Sequence, residues 1–185
     1  MKREKKYSIV GDLYKAVRGF NHKGLSFERF IQSSLFEDIL LQANERLLLM
    51  SNNRYELYRS DNRETMASQS GLDMEVLDTY TGKKRHVRTL SGGEGFMASL
   101  SLALGLADVV QSYAGGISLD TIFIDEGFGT LDTESLDAAI KTLIDLQQSG
   151  RLVGIISHVP ELKERIGARL EVVTTQKGSR AIFHI

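Results

Sequence analysis

Polar side chains with catalytic potential follow two apolar segments of this chain. The apolar run 121–124 leads into Asp125 and Glu126, and the run 152–156 is followed within two residues by His158. Ligands of open α/β sheets bind beyond the carboxyl ends of the strands, where a carboxylate can hold Mg²⁺ against phosphate oxygens. Because strand side chains alternate in direction, we expect Asp125 to face a metal and Glu126 to face an attacking water. His158 is then expected to donate a hydrogen bond to a γ-phosphate.

Each of these residues also has a simpler interpretation. An Asp-Glu pair can cap a strand or begin a loop, and a single His after a strand is often structural. The shared position of Asp125 and His158 at strand ends favours the chemical interpretation for both.

The string Ser91-Gly92-Gly93-Glu94, preceded by Leu90, stands where a helix is expected to begin. Glycines allow close approach of the backbone to an anion, and a helix N-terminus presents unpaired N–H groups. An ordinary turn with a Ser cap is the alternative. The chain contains no G-x-x-x-x-G-K-[ST] string, so it carries part of a nucleotide site without the loop that holds the β-phosphate.

Composition narrows the possible classes of protein. The formal net charge is −1, which gives no overall basic excess for nucleic acid, and cysteine is absent, which excludes disulfides and thiolate metal sites. We find no signal-peptide pattern, and no apolar run reaches the roughly 20 residues that span a bilayer. The sequence therefore predicts a globular protein of a reducing intracellular compartment.

Apolar periodicity and turn residues predict the secondary structure. Ser26 is expected to cap the first long helix, Asn52 and Asn53 to end it, and Asp132 to cap a later helix. Residues 60–71 are expected to form a polar loop, and the glycine pair 115–116 to end the second long helix. The predicted helices cover 27–51, 93–113, 133–148 and 161–166, and the predicted strands cover 54–59, 74–78, 85–88, 122–125, 152–156, 170–175 and 180–185.

Several features of these elements indicate how they pack. Strands 122–125 and 152–156 are apolar on both faces, which is typical of parallel strands covered by helices in a βαβ unit. The stripe from Phe27 to Leu47 is interpreted as core rather than a partner groove. The basic cluster 83–88 is interpreted as solvated surface, with DNA contact as the alternative. The faces expected to be buried comprise Leu100, Ala103, Leu104 and Ala107 in one helix and Leu136, Ile140, Leu143 and Gln147, with Ile144 beside them, in the next.

At these residues the chain resembles an ABC-type ATPase. Four strings carry the resemblance: Leu90–Glu94 is similar to the ABC signature, 121–126 to the Walker B strand, 130–132 to the D-loop and 157–158 to the H-loop. ABC transporters keep the phosphate loop and the signature in one continuous domain. The relatives of the structural-maintenance-of-chromosomes (SMC) proteins separate them by a long coiled coil. The chain resembles this second group.

Within that group, the strings 25–30, 125–132 and 154–159 are similar to those of the SbcC family, the large subunits of the SbcCD DNA nuclease. The resemblance implies that 1–24 is a coiled-coil stub or lead-in segment and that 25–185 is the C-terminal lobe of an ABC ATPase head. The implied fold is α/β, with a mainly parallel sheet flanked by helices and peripheral antiparallel hairpins.

The resemblance also implies a composite machine that uses ATP and Mg²⁺. The N-terminal half of the same head would supply the phosphate loop, so the isolated chain is expected to be inactive. Two heads would form a homodimer around ATP and control an SbcD-like metal-dependent nuclease subunit that acts on double-stranded DNA ends or hairpins. This machine would be cytoplasmic, with no membrane partner. The implied site residues are Glu126 and His158 for catalysis, Asp125 for the metal, and Ser91, Gly92, Gly93, Glu94 and Asp132 for the nucleotide.

Two alternatives remain open at this point. The chain could be the C-terminal half of another SMC-like ATPase of chromosome structure or recombination. It could also be a non-catalytic interaction module, although intact Ser91, Asp125, Glu126 and His158 argue against a module that is free of catalytic demand.

Overall fold

The computed structural model describes residues 2–20, 24, 26–60, 72–115, 119–176 and 178–185. These residues form five α-helices, seven strands and two short 3₁₀ turns, arranged in three small sheets around one core. The expected loop 60–71, Gly116, Lys177 and the boundary residue 25 lie wholly or partly outside the described residues. The elements are α1 (Lys2–Val17), α2 (Phe27–Met50), β1 (Tyr55–Arg59), β2 (Met74–Asp78), β3 (Lys83–His86), α3 (Gly92–Tyr113), β4 (Thr121–Asp125), α4 (Thr133–Gln148), β5 (Leu152–Ile156), α5 (Pro160–Arg165), β6 (Arg169–Thr175) and β7 (Gly178–His184).

The ends of α2 follow from local sequence. Ser26 caps the helix by accepting a hydrogen bond from the backbone N–H of Arg29 at 3.3 Å. Asn52 and Asn53 both adopt positive φ angles just beyond the last turn, a conformation that Asn tolerates better than most residues. The predicted helix and its stop are therefore confirmed.

The interpretation of the Phe27–Leu47 stripe as core is wrong for its first turns. Phe27 is 58% exposed and Phe30 is 57% exposed, whereas Leu40 and Leu47 are buried. The first turns of α2 extend beyond the elements that cover its later turns. Helix α1 is likewise exposed along Val10, Leu13, Tyr14 and Val17.

Helix α3 crosses α2 at Gly105. A Cβ built at Gly105 would stand 2.8 Å from the backbone nitrogen of Ala43 and 2.8 Å from the carbonyl oxygen of Ile39. This close approach determines which face of α3 is buried, and Ala103, predicted to be buried, is exposed. The buried residues of α3 are Met97, Ala98, Leu100, Ser101, Leu104, Gly105 and Val109.

The sequence analysis expected no segment that could span a bilayer, but α3 is long and apolar enough to do so by length and composition alone. Its buried face nevertheless packs in the protein core, and the core helix of a soluble protein meets the same criterion.

Strands β1, β2 and β3 form an antiparallel sheet in that order. The third strand was expected over 85–88, but β3 pairs from Lys83, opposite Asp78. The chain then leaves the sheet in a 3₁₀ turn, Val87–Thr89, because the imidazole Nδ1 of His86 accepts the backbone N–H of Arg88 at 3.1 Å.

Strands β4 and β5 are parallel, with Phe123 opposite Gly154, and α4 connects them. The expectation that both faces of this pair are covered is wrong for the described residues. Ile122 and Ile124 pack on the core, whereas Phe123 is 71% exposed on the opposite face. No other strand pairs with β4 or β5 within the described parts of the chain.

Helix α4 begins as predicted, but its buried face is rotated slightly from the expected one. Leu146 is buried, whereas Gln147 and Ile144 are exposed. Strands β6 and β7 form the expected terminal hairpin with a tighter turn, because Thr175 already pairs with Gly178.

Replacing Gly105 by Ala should destabilise the fold, because the methyl group would meet backbone atoms that belong to α2. Overpacking typically costs about 1–3 kcal/mol, which exceeds the roughly 1 kcal/mol that Ala gains over Gly in a helix. Gly95→Ala is the matched control on the same helix, since its Cβ would meet nothing within 4 Å. Urea denaturation should show Gly105→Ala to be less stable than the parent chain and Gly95→Ala to be at least as stable. Equal stability of the two variants would contradict the close crossing.

Candidate functional site

The ends of β4 and β5 bring Glu126 and His158 together. Asp125 pairs with Ile156 across the two strands, and the backbone N–H of Glu126 donates to the Ile156 carbonyl at 2.8 Å. The chain then turns sharply, because Glu126 has a φ of 60°. Its carboxylate Oε2 lies 2.8 Å from Nδ1 of His158. Both side chains are open to solvent, Glu126 at 50% and His158 at 80% exposure.

A non-glycine residue with positive φ is uncommon and costs of order 1–3 kcal/mol. The residue that adopts this conformation is the one whose carboxylate contacts His158. Alternation along β4 places Asp125 on the same exposed face as Phe123. Glu126 lies beyond the end of β4 with a left-handed backbone, so strand alternation does not set its direction, and the expected roles of the two carboxylates stay a prediction.

The donor set at this strand end fits Mg²⁺ that is shared with a phosphate. No group of three or more His, Asp or Glu side chains that could enclose a metal occurs among the described residues. Mg²⁺ is commonly held by one or two carboxylates together with substrate phosphates and water. Asp125 can supply such a carboxylate.

The loop after β4 is fastened to α3 by aromatic packing. Phe128 is almost fully buried, and its ring centroid lies 4.9 Å from that of Phe96 in an edge-to-face arrangement. Gly127, with a φ of 95°, lies so close that a Cβ there would overlap the Phe96 ring. The loop therefore requires glycine at this position.

The start of α3 forms a reciprocal capping arrangement. The backbone N–H of Ser91 donates to Oε2 of Glu94 at 2.8 Å, and the Ser91 hydroxyl accepts the backbone N–H of Glu94 at 3.4 Å. Gly93 packs against the next loop, where a Cβ would stand 2.7 Å from the carbonyl oxygen of Thr130. The predicted glycine-rich helix start is thus in contact with the 130–132 segment.

The other oxygen of Glu94 is also occupied. The hydroxyl of Tyr55 donates to Oε1 of Glu94, and the Arg85 guanidinium lies 3.6 Å from Oε2. Burial alone would raise the pKa of the Glu94 carboxyl, but hydrogen bonds from Tyr55 and Ser91 outweigh it and lower that pKa. Burial and the neighbouring carboxylate raise the pKa of Tyr55 to about 12. The phenol therefore remains a neutral donor at physiological pH.

The sequence-predicted residues fall into two groups. Asp125, Glu126 and His158 lie at the strand ends, and none of them lines the cavity that contains the second group. That cavity measures about 660 Å³. The residues that line it include Ser91, Gly92, Gly93, Glu94 and Asp132 together with Arg54, Tyr55 and Tyr80.

Sequence reasoning missed Tyr55 and Arg85, which act on Glu94 from the β1–β3 sheet. The sequence does contain a signal for the Ser91–Glu94 pair, because Ser91-x-x-Glu94 before an apolar run is the pattern of a capping box. It contains no local signal for Tyr55 or Arg85. The basic cluster 83–88 is also more structured than expected. Arg85 donates to the carbonyl oxygen of Thr89 at 2.6 Å, and Lys84 lies 3.9 Å from the centre of the Tyr58 ring.

Asp132 caps α4, as predicted. Its Oδ1 accepts the backbone N–H of Ser135 at 2.8 Å, and this hydrogen bond holds the pKa of the Asp132 carboxyl below its usual range.

A family sequence model and a curated relative both match this chain, and both indicate the same family. Residues 61–145 match the sequence model described as "SbcC/RAD50-like, Walker B motif". The chain is 59% identical over 176 residues to the SbcC protein of the nuclease SbcCD from Vibrio cholerae serotype O1. This match covers 95% of the chain but 17% of that relative, so the chain spans about a sixth of the relative's length.

Solved structures show the same fold. One comes from a study of ATP-driven dimerization and DNA-stimulated activation of SMC ATPases; it aligns with a TM-score of 0.64 at 14% identity over 84% of this chain and 88% of its own. Another is an Smc head domain with an extended coiled coil, bound to the C-terminal domain of ScpA and derived from Pyrococcus furiosus. It aligns with a TM-score of 0.64 at 17% identity over 98% of this chain and 42% of its own. The predicted α/β head fold is therefore confirmed.

Asp132→Ala should lower the free energy of unfolding at pH 7 by about 1 kcal/mol, the usual cost of losing an N-cap. Asp132→Asn should retain most of that stability, since Asn caps equally well.

The native pKa of the Asp132 carboxyl is depressed, so the stability that ionised Asp132 adds is present above about pH 4 and is lost as pH falls through the lower native pKa. Urea titrations at pH 7, 5 and 3 should therefore show a shallower loss for Asp132→Asn than for the parent chain. An Asn variant as unstable as the Ala variant at pH 7 would contradict the capping role.

Proposed function

This chain belongs to the SbcC family as a C-terminal segment of its ATPase head, and on that premise we propose that it forms half of a composite ATP-hydrolysing site. With the N-terminal half of the same head, it binds and hydrolyses Mg-ATP in a head-to-head dimer. The dimer controls an SbcD-like metal-dependent nuclease subunit that acts on double-stranded DNA ends or hairpins. The observation that carries this proposal is the 2.8 Å contact of Glu126 with His158 beside Asp125, at the carboxyl ends of two parallel strands.

The geometry supports a division of labour between the carboxylates. Glu126 contacts His158, is half-exposed and can accept a proton from water while His158 orients it. Asp125 is exposed on the same face of β4 as Phe123 and holds the metal. Mg²⁺ bound there would neutralise charge on the phosphate oxygens. His158, at 80% exposure, retains access to a phosphate placed above the strand ends.

The uncovered face of β4 and β5 supports the N-terminal half as a partner. Phe123, Leu152 and Ile156 lie on this face and are 71%, 61% and 54% exposed. Fully burying one such side chain contributes about 1.5–3 kcal/mol, so these three residues would strongly favour association of this face with a covering layer. The N-terminal half, as that covering layer, would also supply the phosphate loop, whose motif is absent from this sequence.

Helix α1 supports a coiled-coil role for residues 1–24. Val10, Leu13, Tyr14 and Val17 follow the i, i+3, i+4, i+7 spacing of one helix face, and all four are exposed. A helix of the N-terminal half can pack along this stripe.

The second group of residues supports the dimer. The N-terminus of α3, with Ser91, Gly92 and Gly93, borders an open cavity away from Glu126 and His158. Its unpaired N–H groups carry partial positive charge, which suits a phosphate bound by another head. A two-fold dimer uses such a surface twice, once for each nucleotide.

Glu126→Gln, in the head reconstituted with its N-terminal half, should lower ATP turnover by about 10²–10⁴-fold, because the amide cannot accept a proton from water. ATP binding should persist. Asp125→Ala should instead weaken Mg-ATP binding, because a metal ligand is lost. Phosphate release and equilibrium nucleotide binding measure the two effects. Glu161→Gln, on the exposed surface of α5, is the control and should match the parent protein. Equal nucleotide binding by the two site variants would contradict the division of labour.

Ser91→Arg should block ATP-driven association of heads without preventing each head from binding nucleotide. Arginine adds bulk where backbone must approach phosphate closely. Gln148→Arg adds the same side chain to an exposed position of α4 and should leave association intact. Light scattering and equilibrium binding on the reconstituted head separate the two effects. If Ser91→Arg lowered the nucleotide affinity of the monomeric head as much as it lowered association, the loop would act in its own site.

A further inference from the structure

We infer that Tyr55 is a positioning residue that holds the Ser91 loop in the geometry required to meet the nucleotide of a second head. This inference rests on the proposed function and extends it to a residue in the β1–β3 sheet. Tyr55 touches no nucleotide in this scheme. It acts through Glu94, to whose Oε1 its hydroxyl donates a hydrogen bond.

Glu94 is the link between Tyr55 and the loop. Oε2 of Glu94 accepts the Ser91 backbone N–H at 2.8 Å, and Oε1 accepts the Tyr55 hydroxyl. A carboxylate that receives donors on both oxygens has little freedom to rotate. The direction of the Ser91 backbone is thereby fixed by a phenol that lies 36 positions earlier in the chain.

The other restraints on the loop are the cap between the Ser91 hydroxyl and the Glu94 backbone, the Arg85 guanidinium 3.6 Å from Oε2 of Glu94, and glycine contacts. On one side it borders the cavity of about 660 Å³ instead of packed protein. Gly92 and Gly93 also contact Thr130, with no side chain of their own to interlock. Loss of the Tyr55 bond therefore frees one of the two oxygens of the carboxylate that holds the Ser91 backbone.

Tyr55 itself is held firmly. Its side chain is buried, and the guanidinium carbons of Arg54 and Arg85 lie 4.8 Å and 5.8 Å from its ring centre. Arg54 also bonds Asp78 at 3.1 Å, on the neighbouring strand. The anchor of the Ser91 loop is consequently the whole β1–β3 sheet.

The same sheet is fastened to α2. The Asn44 side chain donates to the carbonyl oxygen of Leu57 at 2.9 Å and accepts its backbone N–H at 2.8 Å. A continuous series of bonds therefore runs from α2 through β1 to Tyr55, Glu94 and Ser91. Displacement of α2 relative to α3 would reach the loop by this route.

The test uses Tyr55→Phe in the reconstituted head, because Phe keeps the buried ring and removes only the hydroxyl. We expect ATP-driven dimerisation to weaken by about tenfold, the scale of one hydrogen bond to a charged group. Nucleotide affinity of the monomeric head should stay unchanged. Glu94→Gln retains acceptor and capping capacity and should dimerise better than Glu94→Ala, and Tyr55→Phe should add little to the defect of Glu94→Ala.

Tyr58→Phe is the matched control. Tyr58 lies on the same strand, and its hydroxyl bonds Glu56 instead of Glu94, so its loss should leave dimerisation unchanged. Parent-like dimerisation of Tyr55→Phe, or an equal defect in Tyr58→Phe, would overturn the inference. So would a parallel loss of nucleotide affinity in the Tyr55→Phe monomer. If the parent head itself failed to dimerise with ATP, the proposed function would fail instead.

Discussion

Helix α3 approaches α2 so closely at Gly105 that no side chain fits between their backbones. This crossing fixes the axis and rotation of α3, and three parts of the protein take their positions from that helix. Its N-terminus carries the Ser91 loop, Phe96 in its first turns holds the loop after β4, and Asp108 farther along bonds Arg151, which precedes β5. The two groups of candidate site residues are thus placed by one helix.

Asp108 also bonds Arg46 of α2, so one carboxylate lies between two guanidinium groups. All three side chains are mostly buried, at 14–20% exposure. The desolvation of such groups offsets much of their attraction, so these ion pairs add little net stability. Their effect is to fix the relative positions of the elements that carry them. They join α2, α3 and the start of β5 in one arrangement. The aromatic pair Phe96 and Phe128 does the same for the end of β4 through apolar packing.

The surfaces that this arrangement leaves open agree with a protein that functions in association. One face of β4 and β5 exposes large apolar side chains, as does the stripe along α1, while the Ser91 loop faces a cavity. Isolated two-stranded sheets are marginally stable in water, and covering the exposed face would remove that weakness. Such surfaces are consistent with the proposed N-terminal half and second head. The connection from Tyr55 to Ser91 would then couple the sheet to the dimer interface.

The sequence alone determined the features that depend on near neighbours. The caps at Ser26 and Asp132 accept N–H groups three residues ahead, and the stop after α2 is set by two Asn residues with positive φ; the helices that they bound were predicted correctly. The strand-end placement of Asp125 and His158 followed from two apolar runs. Family resemblance added the expected roles, which local patterns do not contain.

The tertiary structure decided what depends on distant atoms. The exposure of Ala103 and Gln147 depends on how helices cross, since periodicity fixes a stripe only to within about one residue. The bond from Tyr55 to Glu94 joins segments 39 positions apart, and no local pattern predicts such a pairing. The left-handed backbone at Glu126 likewise arises where β4 ends against β5, because its N–H bonds the Ile156 carbonyl across the sheet.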